Sequence, residues 1–271
     1  MDGFVRGQVE WWSMLAEPQP SQADLDFDLA GIRVRVSVWF WLAAVLLGWN
    51  QCQAFARGDQ RTLVQLLVVW VAVVFTSILV HEMGHALTYR FFGQAAHVVL
   101  YHFGGLAIPE MWNRRHLRPF QRLLVSAAGP GAQLALAAVV VGGLKAAGYA
   151  VPFPLERLGM ALGLYDGRDF ASPVAYAFVE FLLFVNIFWP ILNLVPVPPL
   201  DGGQIVREGL LSLGVANAPR IAAGIGVVVG GAVAWWGYSR GEPFLGIMFA
   251  MLAASCFQSL SANDTPWRRW N

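Results

Sequence analysis

The sequence predicts an all-α membrane protein of about six transmembrane helices with a short β-hairpin after the second, and three observations predict it. Of its 271 residues, 57% are hydrophobic and 13% charged, with a mean hydropathy of +0.53, whereas a soluble domain carries about a quarter charged residues. Six apolar runs approach the ~20 residues needed to cross a bilayer. After the second run, His97 to Ile108 (HVVLYHFGGLAI) is rich in β-branched and aromatic residues and contains Gly104-Gly105, the pattern of a hairpin or strand rather than of a span.

Taken in order, the spans are expected at about Val36–Phe55, Leu63–Phe92, Leu123–Leu144, Ala175–Val195, Ile221–Tyr238 and Phe244–Cys256, the last being short. The fifth carries Gly226-Val-Val-Val-Gly230, a small-xxx-small face suited to close helix packing. The first thirty residues alternate acidic and polar groups and lack an apolar run ending in a small-residue cleavage site, so no cleavable signal peptide is expected. This divides the chain into a tail at 1–31, a membrane-embedded domain at 32–258 and a second tail at 259–271. A net charge of +1 provides no field that would recruit nucleic acid, and none is expected as a partner. Cys52 and Cys256 stand alone, without metal-knuckle or disulfide spacing.

Arginine and lysine placement sets the expected orientation. With the N-terminus in the cytoplasm, twelve of the eighteen basic residues fall on the cytoplasmic side, the densest group being Arg114, Arg115, Arg118 and Arg122. Both termini are then cytoplasmic in a multi-pass protein of the cell (inner) membrane, and the C-terminal end of the second span lies nearer the cytoplasm.

That end carries the chemistry. Thr76 to Leu87 reads TSILVHEMGHAL. Residues four apart lie one turn above each other on a helix, so His81 and His85 can offer nitrogens to a single ion with Glu82 beside them. This is the H-E-x-x-H pattern of two metal ligands and a carboxylate placed to move a proton. A catalytic zinc takes three protein ligands, so a third is owed. A bare five-residue motif is equally compatible with buried histidines bonded to neighbouring helices. Within a span that alternative weakens, because each ionisable group there costs about 2.5–3.5 kcal/mol to insert. The partner lies at Asn193 to Gly203, NLVPVPPLDGG. Pro196, Pro198 and Pro199 cannot continue a helix, so the fourth span must break there. Irregular backbone at membrane depth is tolerated only against protein or a water-filled cavity, and Asp201 would enter that cavity ahead of two glycines that permit close approach. By itself the segment also reads as an interfacial Pro-Pro, Asp-Gly turn.

HExxH followed by N-x-x-P-x-x-x-x-D-G resembles the site-2 protease family, zinc metalloproteases that cut within membranes; the likeness covers about Leu63 to Gly203. The resemblance implies that His81, His85 and Asp201 hold one zinc ion per chain, that Glu82 is the general base, and that Asn193 helps position substrate. It also implies a re-entrant hairpin around Gly104 and Gly105 that holds an unwound substrate by β-addition. Ser126-Ala-Ala-Gly129-Pro130-Gly131 resembles the family's small-residue segment opening the next core helix, with Gln133 a mild departure. Asn186, two turns before Asn193, reads either as a cavity-lining donor or as an interhelical hydrogen-bond partner.

By resemblance the chain is a minimal form. The segment at 145–173 is too short for a PDZ module, no CBS domains follow the last span, and recruitment falls to the membrane elements, the tail around Trp11-Trp12, or a separate partner. The implied substrates are single-span membrane proteins, such as membrane-tethered transcription factors, anti-sigma factors or remnant signal peptides. The bilayer is the other partner, and a homo-oligomer stays open. Two rival readings remain: a membrane zinc transporter, and a catalytically silent protease-like binding protein.

Overall fold

The computed structural model describes residues 19–102, 104–110 and 116–261; Trp11, Trp12, Arg114 and Arg115 lie outside the described residues. The first described elements are strands. β1 (Leu25–Leu29) and β2 (Ile32–Val36) pair antiparallel around Ala30 and Gly31, both at positive φ, the conformation that a two-residue hairpin turn of matching twist requires. The chain then leaves the sheet for two helices, α1 (Val38–Ala56) and α2 (Gln60–Phe91), before β3 (Ala96–Tyr101) returns parallel to β2. β4 (Gly104–Pro109) closes the hairpin antiparallel to β3.

The sheet order is therefore β1-β2-β3-β4. The hairpin expected at His97 to Ile108 is present, and it is half of a larger sheet whose other half comes from residues assigned to the first tail and the start of the first span. IRVRV in β2 alternates with period two, and its inward residues Ile32, Val34 and Val36 pack with Val98 and Leu100 of β3 against Ile78, Met83 and Ala86 of α2. The sheet thus seats on the helix turns that carry the histidines.

Each long helix begins at a chemical stop signal. Ser37 accepts from the Trp39 amide at the start of α1, and Asp59 accepts from Arg61 and Thr62 at the start of α2; such caps contribute about 1 kcal/mol each. Proline occupies the first turn of α3 (Pro119–Ala146), α5 (Pro173–Asn193) and α7 (Ala218–Ser239), where a missing amide proton costs no hydrogen bond. The short α4 (Glu156–Ala161) lies between α3 and α5, α6 (Asp201–Ser212) follows the proline-rich break, and α8 (Pro243–Ser261) closes the described chain.

Among the described residues five helices, α2, α3, α5, α7 and α8, are long and apolar enough to cross a membrane. They correspond to the second through sixth expected spans, and α8 is longer than its sequence run suggested. The first expected span is helix α1, but Asn50, Gln51 and Gln53 in its second half dilute its apolar content. At 32 residues α2 is about 48 Å long, well beyond the ~30 Å hydrocarbon layer. α7 and α8 pair closely, with Gly226 against Cys256 and Gly230 against Ala253, the close-packing face expected of the fifth span.

Candidate metal centre

The proline-rich break sends the chain back on itself. α5 stops at Asn193, and α6 starts at Asp201 after the turn through Pro196, Pro198 and Pro199. A Cβ on Gly202 would lie 2.1 Å from the Leu194 carbonyl oxygen, and one on Gly203 would lie 2.2 Å from the Pro198 nitrogen. Only glycine lets the first turn of α6 press on the segment before it. Asp201 was expected on irregular backbone; it is instead the first residue of α6, which fixes its carboxylate more firmly than a loop does.

Asp201 reaches the HEMGH turn of α2. His81 Nε2 lies 3.1 Å from Asp201 Oδ2 and 3.1 Å from His85 Nε2, and His85 Nε2 lies 3.4 Å from Asp201 Oδ1. One donor atom from each of the three residues falls within 4.8 Å of the others.

The outer partners decide which ring nitrogens face inward. Gln133 on α3 donates through Nε2 to the Ser77 carbonyl, 3.1 Å, which turns its Oε1 toward His81 Nδ1 at 2.9 Å. An amide oxygen only accepts, so Nδ1 carries the proton and Nε2 presents a lone pair. His85 is held the same way, donating from Nδ1 to the Val125 carbonyl at 2.7 Å. Two lone pairs and a carboxylate thus converge in a buried pocket, an arrangement that repels itself unless a cation lies between them. The donor set of two imidazoles and one carboxylate is the kind that suits zinc, with room left for a fourth, non-protein ligand. The residues fit the metal.

Glu82 is buried beside the three donors, under strand β4. Gly105 is what lets β4 approach, since a Cβ there would fall 2.6 Å from the Glu82 carboxyl carbon. Gly104, at φ +120°, similarly leaves room for the Trp189 ring.

The ladder sets which peptide groups of β4 face outward. The Glu110 amide bonds the Ala95 carbonyl at 2.8 Å, and alternate residues of an antiparallel strand pair turn their peptide groups to the same side. With Val98 opposite Ala107 and Leu100 opposite Gly105, the peptide groups of Ala107 and Gly105 point away from β3, out of the sheet's end.

The two asparagines sit outside the donor set. Asn186 is fully buried and donates to Ser77 Oγ at 2.7 Å and to the Leu182 carbonyl at 2.8 Å, so it joins α5 to α2 one turn before His81. Asn193 donates to the Trp189 carbonyl at 3.0 Å, within its own helix. Sequence reasoning did not foresee the orienting roles of Gln133 and the Val125 carbonyl. Gln133 was visible as a lone amide in a span, but a backbone carbonyl leaves no trace in a sequence. The small-residue segment of α3 packs on the site through Gly129, which faces His85: a Cβ there would lie 2.2 Å from Nε2.

The model of peptidase family M50 matches residues 69–236, well over half of the chain, and so includes the histidine turn, the glycine-rich start of α3 and the Asp201 turn. The chain belongs to peptidase family M50. This is the site-2 protease family of zinc metalloproteases, and with its long apolar helices the chain is an integral membrane protein. Over 197 residues the chain is 28% identical to sll0528 of Synechocystis sp., named as a zinc metalloprotease, covering 69% of this chain and 45% of that one. Over 168 residues it is 29% identical to Rip3 of Mycobacterium tuberculosis, also named as a zinc metalloprotease, covering 58% of this chain and 37% of that one. It therefore spans less than half the length of these relatives. Its fold matches the solved site-2 protease from Methanocaldococcus jannaschii with a TM-score of 0.52, over 89% of this chain and 97% of that one at 18% identity.

Proposed function

We propose that this chain is itself an active intramembrane zinc metalloprotease, hydrolysing a peptide bond within or near the transmembrane segment of a single-span membrane protein. The observation that carries this reading is the convergence of His81 Nε2, His85 Nε2 and the Asp201 carboxylate, with the protonated Nδ1 atoms turned outward and Glu82 alongside.

In this reading His81, His85 and Asp201 hold one zinc ion, whose chemistry is Lewis acidity toward a carbonyl oxygen and a lowered pKa for water. Gln133 and the Val125 carbonyl keep both imidazoles aimed inward. Glu82 takes a proton from the attacking water as its oxygen bonds to the scissile carbonyl carbon. When the C–N bond breaks, the same carboxyl returns that proton to the departing amine. A helical substrate hides its peptide bonds, so it must be extended before attack. The peptide groups of Gly105 and Ala107 offer a strand end beside Glu82 to which the unwound segment adds, which brings the scissile bond to the carboxylate. In the same reading Asn193, at the end of α5, helps position the substrate, while the buried Asn186 joins α5 to α2. The site opens to the cytoplasm, with both termini on that side of the inner membrane.

The test is zinc content per chain in detergent, together with cleavage of a panel of single-span membrane peptides by the wild type and by Glu82→Gln. One zinc in each protein and cleavage by the wild type alone is expected. Cleavage by Glu82→Gln at the wild-type rate would remove Glu82 as the base, and zinc-free protein would remove the site.

A further inference from the structure

A second cluster of charged side chains lies along α6 and takes no part in the chemistry above. Glu208 is 1% exposed, yet its carboxylate is fully engaged. Arg122 of α3 donates from Nε and Nη2 to Oε2, each at 2.8 Å, and Arg207 donates from Nε to Oε1 at 2.9 Å. Arg122 also donates from Nη1 to the Leu117 carbonyl at 2.8 Å. Taking the Glu208 carboxylate out of water is costly even though the Arg122 and Arg207 side chains stay 30% and 16% exposed, and an apolar cluster of similar volume often stabilises a fold as well or better. The geometry of the ion pair is therefore the feature to explain.

Glu208 lies seven residues after Asp201, two helical turns along the same face of α6. Arg122 lies three residues before Val125 on the same side of α3, and the Val125 carbonyl is what holds His85. Three contacts close a ring: His85 on α2 to Val125 on α3, Arg122 on α3 to Glu208 on α6, and Asp201 on α6 back to His85. With two corners of the ring fixed, the length of the third sets how far Asp201 reaches.

We propose that the Arg122–Glu208 ion pair is a strut between α3 and α6 that places the Asp201 carboxylate against His81 and His85, making Arg122 and Glu208 positioning residues for the third donor. This rests on the reading that the three donors hold a metal. Arg207 engages the same carboxylate from within α6, so its contact with Glu208 compensates charge there without itself linking α3 to α6. That difference separates a strut from simple neutralisation.

The experiment uses the full chain in detergent, with zinc affinity measured by competition against a fluorescent chelator and the ligand field read from the visible absorption of the cobalt(II)-loaded protein. Arg122→Gln and Glu208→Gln are expected to weaken zinc binding, by up to the ~10- to 100-fold that loss of a group bonded directly to a ligand causes, and to change the cobalt spectrum. Arg207→Gln is expected to leave both at their wild-type values. Should the neutral variants fail to fold, Arg122→Lys keeps the charge but loses the forked contact, and weakened zinc binding with an altered spectrum is expected there too. Wild-type affinity and an unchanged spectrum in folded Arg122→Gln or Arg122→Lys would overturn the strut. An equal loss in Arg207→Gln and Arg122→Gln would also overturn it, in favour of charge balance. A wild type that binds neither zinc nor cobalt would instead overturn the metal-centre reading on which the strut depends.

Discussion

Two helix packings in this molecule use glycine in opposite ways. Where α7 meets α8, Gly230 makes room for Ala253 and Gly237 for Gly246, so the missing side chains let one backbone approach another. Where α2 meets α3, Gly84 does the same against Ala128, but Gly129, the next residue of α3, makes room for an imidazole. The second packing also contains polar groups that the bilayer penalises: the chain of Asn186, Ser77, Gln133 and His81 crosses three helices by hydrogen bonds. Small residues alone suffice to pair helices in lipid, where packing drives association. Polar groups concentrate at the one packing whose geometry must be held to a few tenths of an ångström, the tolerance of a metal site.

That contrast is broken most sharply at Gly129. A Cβ there would lie 2.2 Å from His85 Nε2 and 2.5 Å from its Cε1. The ring cannot rotate away without losing the Val125 carbonyl, and α3 cannot retreat without loosening Gln133. Gly129→Ala should therefore reduce zinc affinity at least ~100-fold and abolish cleavage, and the overlap should also lower the thermal midpoint in detergent below that of the zinc-free wild type. Wild-type zinc affinity in this variant would mean that glycine at the site serves backbone packing alone.

Which parts of this contrast were legible in the sequence follows from range. His81, Glu82 and His85 declare themselves within one helical turn, and the Pro-Pro, Asp-Gly-Gly run declares its break locally. The β1–β2 strands were harder to read, although IRVRV alternates with period two. They are stable only because β3 arrives some sixty residues later to pair with β2, and Val36 merges into the apolar run of the first span. The Val125 carbonyl and the Arg122–Glu208 pair were not legible at all, since each depends on how two helices cross. Asn193 shows the limit of motif transfer: the motif marks the position, while the contact it makes here is with its own helix at Trp189.

A smaller effect is expected at Asn186. Replacing it by leucine removes the bond to Ser77 but also removes Asn186 Oδ1, a buried oxygen with no hydrogen-bond partner. Interhelical hydrogen bonds in membranes average about 0.6 kcal/mol and reach ~1.7, so the loss should be under about 1 kcal/mol. Because Ser77 also holds Gln133 through its carbonyl, turnover should fall, by no more than about fivefold, with zinc still bound. Activity indistinguishable from wild type would show that the polar chain ends at Gln133 and that Asn186 serves only to join α5 to α2.

The smallest functional effect belongs to the other packing. A Cβ on Gly230 would sit 3.1 Å from the Ala253 Cβ and 3.4 Å from its Cα, closer than ordinary contact but within what two helices can yield. Overpacking of this kind costs about 1–3 kcal/mol, and alanine returns about 1 kcal/mol of helix propensity. Gly230→Ala should thus lower the thermal midpoint slightly and leave zinc affinity and turnover untouched. The metal centre is built from α2, α3 and α6, and the α7–α8 contact at Gly230 adds no donor and no orienting hydrogen bond to it. If Gly230→Ala instead lost zinc, the α7–α8 pair would be a mechanical part of the site. The path would run through Pro198, which contacts Gly226 one turn earlier on α7 and lies three residues before Asp201.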